Sequence, residues 1–405
     1  MPQPDRNNNN DWMPLAITLA IQAMVAMALL TIPAMAPKVA QAVGVSPAYI
    51  GVYIAVAYAG AMIASLASGG AVGRWGAIRV SQAGLLLCAV GLALSAAPSV
   101  TAIAVGALLV GIGYGPITPA SSHLLARTTP AHRMSLVFSV KQTGVPLGAA
   151  LAGAIVPGLQ EFTGWQPALL LVAAVCVLCA VVSQTLRIRF DADRDPHGRV
   201  SLGNFLRPVR LVLEQPALRT LAGCSFLFSI AQLSLTTYLV TYLTDSLAYG
   251  LIAAGAVLSI SQIGAVMGRV LWGWVSDRWV GARRMLAVLA TLMAVCSVAT
   301  ALLQTEWPSM VVIAVLFVYG ASAVGWNGVY LAEVARQAPA GMAGMATGGT
   351  LFFTFLGVVL GPPVFGALSG MFGSYRAGFA ALAVPLAVTA VVLWRRPGNP
   401  TPSAM

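Results

Sequence analysis

The sequence predicts an all-α membrane protein whose twelve transmembrane helices form two six-helix bundles. Of its 405 residues, 59% are hydrophobic and only 8% are charged, whereas a soluble domain carries about 25% charged residues. The apolar residues also occur in long runs, and a run of roughly 18 or more crosses a bilayer as a helix. The longest polar stretch, residues 187–218, separates six runs from six.

Each run is a candidate span, and Gly and Pro within a run are tolerated because neighbouring membrane helices satisfy the freed backbone groups. The predicted spans are residues 13–36, 48–71, 80–97, 101–125, 135–158, 166–186, 217–243, 250–276, 283–303, 308–332, 341–371 and 375–394. The first run is longer than the apolar core of a signal peptide, and Met1–Asp11 lacks a basic segment. We therefore interpret it as the first helix rather than as a cleaved signal.

The spans define a domain organisation. It consists of an N-terminal tail (1–12), a first bundle (13–186), a linker (187–216), a second bundle (217–396) and a C-terminal tail (397–405). Within the linker, Leu202–Leu213 is predicted to form a short surface helix with Arg207 and Arg210 near the lipid headgroups.

The basic residues predict the orientation. With the N-terminus inside, all but three of the 22 Lys and Arg residues lie on or near the inner side; Lys38 and Arg376 lie outside, and Arg269 lies within a span. This bias toward the inner side places both termini in the cytoplasm of an inner-membrane protein. The net charge of +11 therefore reflects topology, and we expect no nucleic-acid partner.

The two halves carry a repeated motif. Gly69–Arg74 follows the second span and Gly273–Arg278 the eighth, 204 residues later, and the same offset relates Thr143-Gly144 to Thr347-Gly348. Internal repeats of this kind let secondary transporters build a central site between two halves.

The loop Gly273–Arg278, followed by Gly281 and two arginines, resembles the signature loop of the major facilitator superfamily. The resemblance extends over nearly the whole chain as topology. It implies a secondary transporter that works by alternating access, requires no cofactor and is no enzyme. The first copy, Gly69–Arg74, has Gly73 where the family has Asp.

The predicted gating residues are those of the two loops: Gly69, Arg74, Gly273, Asp277 and Arg278. A glycine allows close helix approach, and Asp277 can pair with a nearby arginine in one conformation and release it in the other. The alternative is that these charges only anchor the topology.

Arg269 lies eight residues before Asp277, well inside a span. A charge at the bilayer centre costs about 2.5–3.5 kcal/mol on insertion scales, so it marks a functional candidate. It resembles the eighth-helix arginine of monocarboxylate and oxalate transporters, which implies that it binds a substrate carboxylate with its planar guanidinium. A structural or gating role is the alternative.

Lys141 begins the stretch Lys141–Gly148, which is similar to the glycine motif of the family's fifth helix. The lysine either extends to the membrane surface or faces the cavity. Further polar and aromatic residues of the spans either line the cavity or pack between helices. They are Gln22, Tyr114, Gln142, Gln232, Tyr238, Tyr242, Gln262, Trp326, Asn327, Tyr330, Thr347, Thr350 and Phe353.

The acidic residues all fall in loops, tails or helix ends, with Asp245 and Glu333 near span ends. The absence of a mid-membrane carboxylate favours a small organic anion, such as a monocarboxylate, over a cationic drug. The predicted partners are this small-molecule substrate, a coupling proton and membrane lipid, and we expect a monomer. The alternative is a proton-coupled multidrug or metabolite exporter. The three His and five Cys residues show no metal-site spacing.

Overall fold

The computed structural model of the protein describes residues 12–45, 50–195 and 206–395. Most of the predicted N-terminal tail, the centre of the linker (196–205), which includes the first residues of the predicted surface helix, and the C-terminal tail lie outside the described residues.

The described chain is helical throughout its spans. Its helices are α1 (Met13–Ala34), α2 (Ala36–Val43), α3 (Ile50–Trp75), α4 (Ala77–Ser95), α5 (Val100–Tyr114), α6 (Ile117–Thr128), α7 (Met134–Gln142), α8 (Gly144–Thr163), α9 (Trp165–Phe190), α10 (Arg207–Glu214), α11 (Pro216–Leu247), α12 (Leu251–Val275), α13 (Ala282–Leu302), α14 (Ser309–Ala323), α15 (Asn327–Gln337), α16 (Ala343–Met371) and α17 (Tyr375–Arg395).

Twelve stretches of these residues are long and apolar enough to cross a membrane, which confirms the predicted number of spans. Three spans are broken into two helices each: α5 and α6, α7 and α8, and α14 and α15. Several spans are also longer than predicted. Span two continues to Trp75, and span three begins at Ala77 rather than at residue 80, because the turn at Gly76 between them takes a single residue with a positive φ of 93°.

The described parts of the loops that follow even-numbered spans contact one another or their neighbouring helix ends, as Asp191 does Ile78, Asp193 does His123 and Asp277 does Ser135. We call this end of the molecule the basic end. The two halves of the chain contact each other through α3 and α16, α6 and α16, α7 and α12, and α7 and α15. Because α6, α7 and α15 are the basic-end pieces of broken spans, the described conformation is closed at the basic end.

The second half of the linker forms α10, somewhat later in the chain than the predicted surface helix. Arg210 and Glu214 pair on its exposed face, with Nε and Oε1 2.6 Å apart. Pro208 and Val212 are buried, and α10 packs against α16. The linker therefore returns the chain to the basic end of the second half.

Close helix packing in the first half depends on small residues. A Cβ atom on Gly111 of α5 would lie 2.7 Å from the backbone carbonyl carbon of Ala57 in α3, whereas one on Gly153 of α8 would meet nothing within 4 Å. Backbone atoms cannot move aside without shifting a helix.

We expect Gly111→Ala to lower the thermal unfolding temperature in detergent, because overpacking of this kind costs about 1–3 kcal/mol. Gly153→Ala is the matched control. It should leave that temperature unchanged or raise it, since Ala favours a helix by about 1 kcal/mol over Gly. Equal unfolding temperatures for the two variants would contradict the packing described for α3 and α5.

Candidate functional site

The three broken spans meet in the interior of the molecule. Their breaks lie at Gly115-Pro116, at Thr143 and at Val324–Trp326. A break frees backbone carbonyls that a continuous helix would use, and such irregular backbone is tolerated at membrane depth only where protein or a cavity satisfies it. The breaks therefore supply polar groups to the centre of the bundle.

The freed carbonyl of Gln142 binds Arg269. In a continuous helix this oxygen would accept a hydrogen bond from residue 146, but Pro146 has no N–H. Instead Nη1 of Arg269 donates to it at 2.5 Å, and Nε of Arg269 donates to the carbonyl of Val324 at 3.2 Å. Arg269 is 4% exposed. Its guanidinium thus connects a carbonyl of the first half to one of the second.

Lys141 lies in the same region and is only 1% exposed. Its Nζ donates to Gln22 Oε1 at 2.7 Å, to Gln142 Oε1 at 3.2 Å and to Thr118 Oγ1 at 3.3 Å. These three acceptors account for all three donors of an ammonium group. The side chain therefore points into the protein interior rather than extending to the membrane surface.

A second set of polar contacts continues from Arg269 into the second half. Asn327 Nδ2 donates to the Val324 carbonyl at 3.3 Å and to Gln232 Oε1 at 3.4 Å, and the buried Trp326 donates its Nε1 to the same oxygen at 3.0 Å. We refer to Gln22, Thr118, Lys141, Gln142, Gln232, Arg269, Trp326 and Asn327 as the central network.

The central network holds two basic side chains, Lys141 and Arg269, that have no carboxylate partner among the described residues. Among the described residues, the salt bridges involve His123, Arg127, Arg210 and Arg336, but neither Lys141 nor Arg269. Nε2 of Gln22 is a buried donor that has no acceptor at hydrogen-bond geometry among the described residues, although Tyr114 lies nearby. Because Oε1 of that amide faces Lys141, Nε2 has to point elsewhere. The arrangement offers positive charge and an N–H donor to an anion.

Tyr114 lies near Gln22 and Arg269, so it joins the central network. Tyr330 packs against Trp326 of the network, with ring centres 5.2 Å apart. No hydrogen bond or ring contact among the described residues joins Tyr238, Tyr242, Gln262 or Thr347 to the network. Tyr238 stacks on Phe365 and donates to the Pro362 carbonyl at 2.9 Å.

Tyr330 is buried and donates to Ser225 Oγ at 3.1 Å, while Thr347 is buried with its hydroxyl unpaired among the described residues. Gln262 is exposed and has no hydrogen bond to the described network. Tyr242 donates to the Thr300 carbonyl in the core of the second half. Tyr238, Tyr242 and Tyr330 thus bond to residues of the second half and do not connect the halves.

The signature loop of the second half forms a contact between the halves at the basic end. Asp277 Oδ1 and Oδ2 accept the backbone N–H groups of Ser135 and Leu136 at 3.1 and 2.7 Å, at the start of α7. Nη2 of Arg336 lies 3.0 Å from Asp277 Oδ1. A carboxylate is stabilised at a helix N-terminus by unpaired N–H groups and by the helix dipole. We call these four residues the basic-end latch.

Arg336 was missed by the sequence analysis, which treated it only as one of many inner-side arginines. Its Nη1 also donates to Ser135 Oγ at 3.1 Å. Arg278, a predicted gating residue, is exposed and has no contact with the latch among the described residues. Proximity in sequence favoured Arg278, but the tertiary fold brings Arg336 to Asp277.

Two predicted glycines lie where the halves touch. A Cβ atom on Gly69 would lie 2.8 Å from Met345 Cα, and one on Gly273 would lie 2.7 Å from Ser139 Cβ. Both glycines therefore permit close packing between halves. Arg74 instead lies at the surface, with its guanidinium 5.7 Å from the centre of the Trp75 ring.

The first half has a different arrangement of carboxylates. A Cβ atom on Gly73 would face open space, and the Gly73 carbonyl accepts the backbone N–H of Asp195 at 2.8 Å. Asp191, just after α9, instead accepts the N–H groups of Ile78 and Arg79 at 2.8 and 3.0 Å, at the start of α4. This contact joins helices within one half, not between halves.

Asp193 follows Asp191 and accepts from His123 Nε2 at 2.7 Å and from Arg127 Nη1 at 2.5 Å. Burial acts to raise the pKa of Asp193, but the His123 hydrogen bond and the positive charge of Arg127 outweigh it and hold the pKa below its ordinary value. Asp193 thus ties the end of α6 to the end of α9.

Comparison with known proteins identifies relatives over most of the chain. The sequence profile of the Major Facilitator Superfamily matches residues 15–357. The gallate transporter of Pseudomonas putida is 25% identical over 415 residues, covering 92% of this chain and 91% of that protein. Monocarboxylate transporter 11 of Mus musculus is 28% identical over 322 residues, covering 76% and 69%.

Solved structures share this fold. The fucose:proton symporter FucP of E. coli superposes with a TM-score of 0.76 at 17% identity, covering 96% of this chain and 99% of that one. The predicted family and the predicted fold are confirmed, and the matched proteins named here are transporters.

The basic-end latch is expected to keep the basic end closed. Asp277→Ala should open the basic end, because hydrogen bonds to a charged group contribute about 1.5–3 kcal/mol each. Spin labels at His132→Cys and Arg284→Cys, with the native cysteines replaced, should show a longer-distance population by pulsed electron resonance. Arg336→Ala should act likewise. Arg278→Gln is the control and should match wild type; an equal effect of Arg278→Gln would contradict our assignment.

The lowered pKa of Asp193 predicts that its contribution to stability depends on pH. A carboxylate with a lowered folded-state pKa stabilises the protein above its unfolded-state value, about 3.9, and loses this contribution as the pH falls through the folded-state value. Asp193→Asn should therefore lower the unfolding temperature at pH 7, and the difference from wild type should shrink below about pH 4. Glu306→Gln, at an exposed site, should follow wild type throughout. A difference that is constant with pH would refute this role.

Proposed function

We propose that this chain, which belongs to the Major Facilitator Superfamily, is a secondary transporter of small organic anions that binds its substrate at the central network. The supporting observation is the burial of Lys141 and Arg269, one from each half, without a carboxylate partner among the described residues. A buried charge requires compensation, and a substrate carboxylate would supply it.

The donors of the network suit a carboxylate. An arginine binds a carboxylate through paired N–H groups in one plane, and the described hydrogen bonds use Nε and Nη1 of Arg269 but not Nη2. The unpaired Nε2 of Gln22 adds a neutral donor. A monocarboxylate would thus meet donors from both halves of the chain.

Aromatic rings beside the network suit an aromatic acid. Tyr58 contacts Tyr114, with ring centres 6.4 Å apart, and Phe355, with ring centres 5.8 Å apart. Aromatic side chains pack edge-to-face or offset against another ring. The names of the gallate and monocarboxylate transporter relatives support carboxylic acids as the substrate class.

We infer alternating access, and the contacts between the halves support it. We infer that the basic end is cytoplasmic, in line with the positive-inside bias, so the described conformation is closed toward the cytoplasm. Opening it would separate Asp277 from α7 and Arg269 from the Gln142 carbonyl. Since an organic acid is itself a weak acid, proton symport with the substrate is the proposed form of coupling.

The alternative is a proton-coupled exporter of drugs or metabolites, and one observation favours it. Glu333 is a buried carboxylate within α15, 5% exposed, whose Oε1 accepts from Gln337 Nε2 at 2.9 Å. It lies in the last turns of α15, toward the basic end, while Asn327 of the network begins that helix. A cationic substrate would require this carboxylate.

The test measures thermal stabilisation of the purified protein by aromatic carboxylates, aliphatic monocarboxylates, neutral sugars and lipophilic cations. A ligand that binds the folded state raises its unfolding temperature by mass action. We expect stabilisation by one carboxylate class. Arg269→Gln and Lys141→Met should each weaken it, since removing one partner of a buried charged contact costs about 2–5 kcal/mol, roughly 30-fold or more in Kd.

Gln262→Ala is the control, because its side chain is exposed and lies outside the network; it should bind like wild type. Uptake into proteoliposomes with an imposed proton gradient then tests symport. Stabilisation by lipophilic cations alone, lost in Glu333→Gln and kept in Arg269→Gln, would overturn the anion proposal in favour of the exporter.

A further inference from the structure

An apolar groove runs along the outside of the first half, between α3, α4 and the break that separates α5 from α6. Its volume is about 450 Å³. Small side chains create it, namely Ala64, Ala67 and Ala71 on α3 and Ala83 and Gly84 on α4. Ala67 and Ala83 are exposed, so the groove is open on its outer side, where the bilayer surrounds the protein.

The length of the groove corresponds to one membrane leaflet. Its lining extends from Ala64 to Trp75 on α3 and from Arg79 to Leu87 on α4. At a helix rise of 1.5 Å per residue these stretches measure about 12–16 Å. Half of a hydrocarbon core of about 30 Å is about 15 Å. One extended acyl chain would therefore fit along it.

Positive charge lies at one end of the groove only, the basic end. Arg79 lines that end together with the half-exposed Trp75, and the guanidinium of Arg74 lies over the Trp75 ring. No salt bridge among the described residues involves either arginine. Two carboxylates lie nearby: Asp191 accepts the backbone N–H groups of Ile78 and Arg79, and Asp195 donates its backbone N–H to the Gly73 carbonyl at 2.8 Å. The Arg79 guanidinium contacts the side-chain oxygen of Gln82 at 3.5 Å.

We propose that this groove binds one anionic phospholipid, with an acyl chain between α3 and α4 and the headgroup phosphate on Arg79 and Arg74. Basic pockets between membrane helices at the cytoplasmic side recognise anionic headgroups, and Trp is the residue typical of the interface between chain and headgroup. The site is separate from the central network. It lies on α3, the helix whose Gly69 packs against Met345 of the other half.

Native mass spectrometry of the delipidated protein tests this with phosphatidylglycerol and phosphatidylcholine of identical chains. Wild type should retain one phosphatidylglycerol with at least about tenfold preference. Arg79→Gln should abolish the preference. Ala67→Phe, which fills the groove at an exposed position, should reduce binding of both lipids. Arg219→Gln removes an exposed charge elsewhere at the basic end and should behave like wild type, as should Arg269→Gln, which tests the substrate site instead.

Binding of phosphatidylglycerol by Arg79→Gln and Ala67→Phe at the wild-type level, with both variants folded by their unfolding temperatures, would overturn the proposal. Glycerophosphoglycerol, the headgroup without chains, should not displace the lipid at equal concentration. Displacement by it would also overturn the proposal, because the site would then bind a free phosphate diester rather than a lipid.

Discussion

Two positive charges buried at the centre of a bilayer-spanning protein constrain the rest of the structure. Lys141 and Arg269 carry them, and each is satisfied by oxygen atoms that bear no formal charge. Those oxygens come from side-chain amides and from carbonyls that only broken helices can offer. The interruptions of spans five and ten, the position of Pro146 and the amides Gln22 and Gln142 thus serve one requirement. Neutral dipoles stabilise the cations in the empty site, yet leave their net charge available to an anion.

Carboxylates are placed at helix N-termini twice, with different consequences. Asp277 binds the start of α7 in the opposite half, so its contact depends on conformation. Asp191 binds the start of α4 in its own half, so its contact can persist while the halves move. The repeat in the sequence therefore does not produce two equal latches. With Gly73 in place of an acid, the described carboxylates Asp191 and Asp193 hold helices of the first half together, whereas Asp277 and Arg336 bond across the halves at the basic end.

The sequence predicts the fold better than the site, and the reason is physical. Long apolar runs are local, so all twelve spans follow from them. The family follows from the loop Gly273–Arg278, which is also local, and the repeated glycines Gly69 and Gly273 mark places where helices approach closely. Helix breaks are less evident, because Gly and Pro also occur in continuous membrane helices, as Pro157 does within α8. Contacts between residues distant in sequence cannot be predicted from local patterns, and no local pattern relates Arg336 to Asp277. Among the candidate residues, Tyr330 and Tyr238 pack inside the second half, since an aromatic residue in a span suits a core as well as a cavity.

The contact between Arg269 and the Gln142 carbonyl relates binding to the proposed cycle. This hydrogen bond joins the two halves, so opening the basic end would break it. The buried guanidinium of Arg269 would then lack one acceptor. An empty transporter would therefore resist that opening. A bound carboxylate, held by the guanidinium, would replace the lost carbonyl and lower the cost of separation, while also compensating Lys141 on the first half. In this view the substrate permits the conformational change because it is an acceptor that can move with Arg269, which the Gln142 carbonyl, fixed to α7, cannot do.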